Sequence, residues 1–264
     1  MPWALRGLSN GVITTRWPRH PDEYADSFAS SIETVDEAAP DRAAQEDAIA
    51  HCPTGALSRD ESGRVRCDRG RCVLCGLCVT TAPQSFQWYR GSEVAALTRG
   101  ELVTDLSDDS PERVAEIRRE LASRVRQLRQ SVHIRHVDSG SDGCDEWEVQ
   151  ALTNPVYDIH RLGIYFTASP RHADILLVTG IGAAGMSESV RHTLEAMPQP
   201  TVVIAAGVDA VSGGVFAGGY MTNGGVSAEV PIDVWIPGSP ATPFALLNGI
   251  LLALDRLPRG RRSS

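Results

Sequence analysis

No apolar run in the 264-residue chain is long enough to cross a bilayer. The longest, 244–254, is interrupted by Asn248, and a spanning helix needs about 20 such residues. An excess of positive charge is missing too. The formal net charge is −8, which argues against nucleic acid as the main partner. The N-terminal residues do not line up as a basic stretch, an apolar core and a cleavage site, so no export signal is expected. Cysteine is sparse at six residues. Four of them fall into one pattern, which reads as metal ligands in a reducing compartment and not as disulfides. No nucleophile–base pair or open metal constellation marks an independent catalyst, so a non-catalytic role is expected. The length suffices for a sizeable core and about two domains.

What is present centres on Cys72-Val-Leu-Cys75-Gly-Leu-Cys78. Two-residue spacings with a glycine in the turn let a short loop aim successive thiolates inward. Bacterial ferredoxins carry C-x2-C-x2-C-x3-C-P, in which the fourth cysteine serves the other of two clusters. Here the fourth position is Ala82, before Pro83. A Cys-Pro pair stands upstream at Cys52-Pro53, and the same spacing counted back from it falls on Ala48, Gln45 and Arg42. The losses agree with each other. Ala82 would have served the cluster that Arg42, Gln45 and Ala48 cannot hold. The residues therefore specify one [4Fe–4S] cluster on Cys52, Cys72, Cys75 and Cys78. Four thiolates also suit zinc, but the Cys-Pro partner and the paired losses fit ferredoxin spacing better than a zinc ribbon. Cys67 lies outside the pattern and is expected as a small buried side chain.

Taken in order, residues 1–35 read as an extended N-terminal arm and 36–100 as an α+β ferredoxin-like [4Fe–4S] domain. Asp60-Glu-Ser-Gly63 reads as a turn between short strands, and 86–89 as the closing strand. Residues 101–131 form a linker helix, with Ser110 as N-cap and Pro111 in the first turn. Val114, Ile117, Leu121, Val125 and Leu128 share one face, while arginines, among them Arg129, fill much of the rest. From 132 to 257 strands and helices alternate. Strands are expected at 132–138, 173–179, 201–206 and 232–236, and helices at 144–152, 187–197 and 244–254. That pattern predicts an α/β domain with a parallel sheet. Its loops 139–144, 180–185, 207–214 and 237–240 should gather at the carboxyl edge, where such folds place their sites. A basic tail, 258–264, could touch anionic lipid or simply be disordered.

Gly180-Ile-Gly182-Ala-Ala-Gly185 spells G-x-G-x-x-G after a strand and before a helix, with Asp209 after the next strand. The dinucleotide fingerprint usually follows the first strand, not the second. A nucleotide-binding oxidoreductase is therefore the lesser reading. His51, His136, His160 and His172 could relay protons, but satisfied structural histidines account for them as well.

Residues 132–256 resemble a known family on specific segments. These are Asn154-Pro155-x-Tyr157-Asp158-x-x-Arg161-x-Gly163, Ser169-Pro170-Arg171-His172-Ala173-Asp174 through Thr179-Gly180, Ser212-Gly213-Gly214 and Pro237-Gly238-Ser239-Pro240. They look like the small, electron-transfer subunit of energy-converting [NiFe] hydrogenases and its relative, the B-type subunit of NADH-quinone oxidoreductase. The first 100 residues, including Thr14-Thr15-Arg16-Trp17-Pro18, resemble the ferredoxin-like subunit of the same complexes, as if two neighbours were fused.

The resemblance implies an iron-sulfur electron-transfer subunit of a membrane-associated respiratory complex. It implies a hydrogenase-like large subunit and polytopic membrane subunits as partners. It also places the chain in the cytoplasm, peripheral on the inner face of the cell membrane. The family's own cluster would sit at the sheet edge, where its ligand positions fall on Ser141, Cys144, Asp209 and Ser239. Only one of these is a cysteine, so the second site is degenerate and no second [4Fe–4S] cluster is expected. Asp145 and Glu146 read either as proton-handling acids or as first-turn acids of a helix. The alternative from a different class is a structural docking subunit whose α/β domain transfers no electrons.

Overall fold

The computed structural model describes residues 3–35, 41–104, 109–128 and 131–258. Arg129 and the tail from Arg259 onward lie outside the described residues.

The first half contains α1 (Trp3–Asn10), β1 (Ala29–Thr34), α2 (Arg42–Ala50), β2 (Leu57–Arg59), β3 (Val65–Cys67), α3 (Leu77–Thr81), β4 (Phe86–Arg90) and α4 (Pro111–Arg124). Two small antiparallel sheets result. β1 pairs with β4, setting Ile32 opposite Trp88, and β2 pairs with β3 across the turn at Asp60–Gly63. Ile32, Ala48, Leu57, Cys67, Cys78, Ala82 and Phe86 form their common core. The segment 1–35, expected as an extended arm, is extended only in part. Trp3–Asn10 are helical, and Ala29–Thr34 join a sheet because Phe86–Arg90 supply the missing partner.

The second half contains β5 (Val132–Asp138), α5 (Cys144–Ala151), β6 (Ile164–Phe166), β7 (Ile175–Thr179), α6 (Ser187–Glu195), β8 (Val202–Ala206), α7 (Val208–Ser212), β9 (Val234–Ile236) and α8 (Pro243–Ala253). The five strands are parallel in the order β6-β5-β7-β8-β9. β7 and β8 are buried along their whole length, as expected of central parallel strands covered on both faces. Alternate residues serve opposite cores. Ile134, Ile175, Leu177 and Ile204 face α8, whereas Leu176, Val178 and Val203 face Val190 of α6. β6 was not among the strands expected from the sequence. It is a three-residue edge strand after a left-handed Gly163, too short to carry a period-two signal.

α8 is apolar apart from Asn248 and wholly buried, so something must cover the side that faces away from the sheet. The arm does this. Its Trp17, Tyr24 and Phe28, joined by Tyr157 of the second half, surround Phe244 with ring centroids 5.1–6.2 Å away. The Thr15 amide donates to the Val156 carbonyl at 2.8 Å, and the Thr14 hydroxyl donates to the Pro155 carbonyl at 2.7 Å. Arg161 donates to the Trp17 carbonyl. α4, capped by the Ser110 hydroxyl, lays Leu121 on the same core, and Val125 joins it just past the helix end. At the far edge of the sheet, Ala96 and Trp235 exchange both backbone hydrogen bonds, at 2.9 and 2.8 Å. The first half is thus fastened to the second across α8 and along β9.

Trp17 is fully buried. Trp17→Ala should cost about 3–5 kcal/mol, the usual range for a buried large aromatic. Urea unfolding measures it, and a change below about 1 kcal/mol would mean that the arm is not part of the folded core.

Candidate metal centre

Four of the six cysteines reach one small cavity by three different local devices. Cys52 follows the C-terminus of α2, where its amide donates to the Ile49 carbonyl at 3.3 Å, and its sulfur accepts the Ala56 amide at 3.3 Å. Cys72 follows a turn closed by the Arg71 amide on the Asp68 carbonyl. Arg99 grips the Asp68 carboxylate through two nitrogens at 2.8 and 2.7 Å and so holds that turn. Beyond Cys72 the chain curls through left-handed Leu74 and Gly76. Gly76 has a second reason to be glycine, because a Cβ there would lie 2.7 Å from the Trp88 ring. The curl presents Cys75 and starts α3, whose first turn carries Cys78. Cys52, Cys72, Cys75 and Cys78 line the cavity with Ile32, Ala48, Leu57 and Cys67.

Cys67 is a fifth sulfur on that wall, fully buried. A hydrogen bond between the Cys67 and Cys72 side chains holds the Cys67 thiol well above the ordinary range and draws Cys72 below it. Burial pushes Cys78 up to about 11. The sequence showed Cys67 as a buried residue outside the spacing, but not its contact with Cys72, which depends on how β3 meets the loop.

The positions of the absent ligands are filled with protein. Ala48 and Ala82 belong to the core of the small unit. Gln45 is buried, donating to the Ser85 hydroxyl at 3.0 Å and accepting from Arg59 at 3.1 Å.

At the carboxyl edge of the parallel sheet the four degenerate positions diverge. Cys144 and Asp209 come together, with Asp142 as a third group. Their potential ligand atoms all lie within 4.8 Å of one another. Asp142 was not anticipated, since the family resemblance implied Ser141 at this position. The Ser141 hydroxyl instead donates to Glu146 at 2.7 Å. Ser239 is half-buried in the loop after β9. Burial, and then a hydrogen bond to Asp142, push the Cys144 thiol far above its usual range. Burial also raises Asp209.

The two acids after Cys144 are not alike. Glu146 accepts from Ser141 and Thr179, and Thr179 is 2.9 Å from His136 Nε2. Asp145 is buried and accepts the Ala241 amide at 2.9 Å. Its carboxyl occupies the space where residue 207 would carry a Cβ, 1.9 Å from an oxygen. The glycines of 180–185 have packing partners as well. The Ile181 and Ala183 amides donate to the Gly140 and Ser139 carbonyls, and a Cβ on Gly182 would stand 2.4 Å from the Gly225 carbonyl oxygen.

Burial pushes the Asp145 carboxyl up to about 8. The folded state then keeps a proton that the unfolded chain releases near pH 4. This contribution to stability is full below the unfolded value and falls as pH rises towards 8, by at most about 1.4 kcal/mol per unit. Asp145→Asn should flatten the profile in urea unfolding between pH 5 and 7.5. An unchanged slope would show that Asp145 is ionised in the folded protein.

Residues 142–253 match the family model for the NADH ubiquinone oxidoreductase 20 Kd subunit. The protein named "Probable membrane-bound hydrogenase subunit mbhJ" of Pyrococcus furiosus is 42% identical over 147 residues, which is 54% of this chain and 87% of that one. "Formate hydrogenlyase subunit 7" of Escherichia coli is 40% identical over 137 residues, covering 52% of this chain and 53% of that protein. The B-type subunit of NADH-quinone oxidoreductase from Geotalea daltonii is 39% identical over 120 residues, 46% of this chain and 70% of that one. On these matches the chain belongs to the NADH ubiquinone oxidoreductase 20 Kd subunit family.

Proposed function

We propose that the chain is an iron-sulfur electron-transfer subunit of a membrane-associated hydrogenase-like or NADH-quinone-oxidoreductase-like respiratory complex. It would hold one [4Fe–4S] cluster on Cys52, Cys72, Cys75 and Cys78. The supporting observation is the shared cavity of those four sulfurs. The donor set fits such a cluster, with four thiols, an apolar wall of Ile32, Ala48 and Leu57, and an amide already donating to the Cys52 sulfur. When bound, the cluster supplies one-electron transfer. The protein's own part is to exclude water through that wall, to hold the loop with the Arg99–Asp68 pair, and to donate to sulfur from Ala56. In this reading the ferredoxin-like unit of 36–100 also takes in β1, which pairs with β4.

The α/β domain serves in this proposal as a docking body with a degenerate cluster site. Ser141, Asp209 and Ser239 bring oxygen where thiolate would be needed. A hydrogenase-like large subunit and polytopic membrane subunits are the proposed partners, at the inner face of the cell membrane. The relatives named above support this reading, since their names place them in a membrane-bound hydrogenase, a formate hydrogenlyase and an NADH-quinone oxidoreductase. Among the described residues no helix is long and apolar enough to cross a membrane. Val215, Phe216, Tyr220 and Met221 stand exposed on the loop between α7 and β9, as does Trp147 on α5, an arrangement that suits a covering partner.

Anaerobically purified protein should contain about four irons, and Cys→Ser at position 52, 72, 75 or 78 should remove them, whereas Cys144→Ser should leave iron content unchanged. Stoichiometric zinc in place of iron, or iron lost in Cys144→Ser alone, would overturn the assignment.

A further inference from the structure

The carboxyl edge of the sheet carries the loops described above, and the opposite edge carries a cavity of about 560 Å³. It lies where α4 ends, where β6 begins and where α8 ends. Its floor is apolar, formed by Val125, Leu251 and Leu254. Its walls hold four guanidinium groups, from Arg19, Arg126, Arg161 and Arg256, against one carboxylate, Asp255. Such a concentration of positive charge is unexpected in a chain of net charge −8.

Two of these arginines are built into the wall. Arg256 donates to the Leu162 carbonyl at 3.0 Å and to the Leu128 carbonyl at 2.6 Å. Arg161 donates to the carbonyls of Trp17 and Tyr157. Burial lowers the proton affinity of both. Among the described residues neither makes a contact ion pair; Arg256 is held by neutral oxygens alone, whereas the Asp158 charge also acts on Arg161. Their partial desolvation costs free energy which an incoming anion would recover. Arg19 and Arg126 are exposed at the rim.

Charge on the walls and hydrocarbon on the floor define the ligand chemistry. A small hydrophilic anion would leave the leucines uncovered, and a neutral apolar molecule would leave the arginines uncompensated. The volume lies within the range of small-molecule sites. We propose that this cavity binds a phosphate ester carrying an apolar chain, the head end of an anionic membrane lipid. The inference does not rest on the cluster reading, because none of its residues lies in the cysteine-bearing unit.

The test is calorimetric titration of the full chain with dodecyl phosphate below its micelle concentration. Butyl phosphate, inorganic phosphate and dodecyl maltoside serve as comparison ligands. Flotation with vesicles of pure phosphatidylcholine, or with about 30 mol% phosphatidylglycerol, separates a lipid source from a soluble one. Dodecyl phosphate should bind saturably at one site, and each comparison ligand should bind at least about tenfold more weakly. The chain should float with the anionic vesicles only. Arg19→Gln combined with Arg126→Gln should weaken binding about tenfold or more and abolish flotation. Both side chains are exposed, so an unchanged urea midpoint will show that the fold is intact; if it shifts, Arg126→Gln alone is the variant to use. Absence of saturable binding, or equal binding by the variant, would overturn the proposal. Inorganic phosphate binding as tightly as dodecyl phosphate would assign the cavity to a soluble anion and refute the lipid. Dodecyl phosphate binding without flotation would refute the membrane source.

Discussion

An eleven-residue helix with no polar face organises the molecule. Every residue of α8 is buried, and a parallel sheet can cover only one side of it. The other side needs apolar surface from elsewhere in the chain, and Trp17, Tyr24 and Phe28 of the arm provide it around Phe244. This requirement carries the arm across the α/β domain. It also fixes where the chain must re-emerge to build the small cysteine-bearing unit. Burial of this kind stabilises by roughly 25 cal/mol for each Å² of apolar surface removed from water, so the helix and its aromatic cover stabilise each other.

The parallel sheet was legible because buried parallel strands leave continuous β-branched runs, as in Ile175–Thr179 and Val202–Ala206. The cap at Ser110 and the helix after it were legible because capping chemistry is local. What escaped was non-local or short. β6 has three residues, and no period can be read from three. The strand at Ala29–Thr34 owes its existence to Phe86–Arg90, more than fifty positions away. The backbone pairing of Ala96 with Trp235 spans still more of the chain.

The site was legible to a similar degree. Cysteine spacing named four residues, and the fold brings them to one cavity. Spacing could not reveal that Cys67 would share a hydrogen bond with Cys72, because that depends on the pairing of β2 with β3. At the sheet edge the family resemblance implied Ser141, whereas the structure brings Asp142 to Cys144 and Asp209. Asp145 shows most clearly what folding adds. The sequence offered it as one of two acids in a helical turn, but its burial against Ala241, in the space left by the missing side chain at position 207, makes it a different chemical group from its neighbour Glu146.

Both halves of the molecule bear on the number of clusters. One thiol-lined cavity and one edge short of thiolates should give a single redox centre. Iron and sulfide analysis combined with EPR of the reduced, anaerobically purified protein tests this directly. The account predicts about four irons and one cluster signal. About eight irons with two interacting signals would contradict it, because the sheet edge would then hold a cluster on side chains that supply too few thiolates for one.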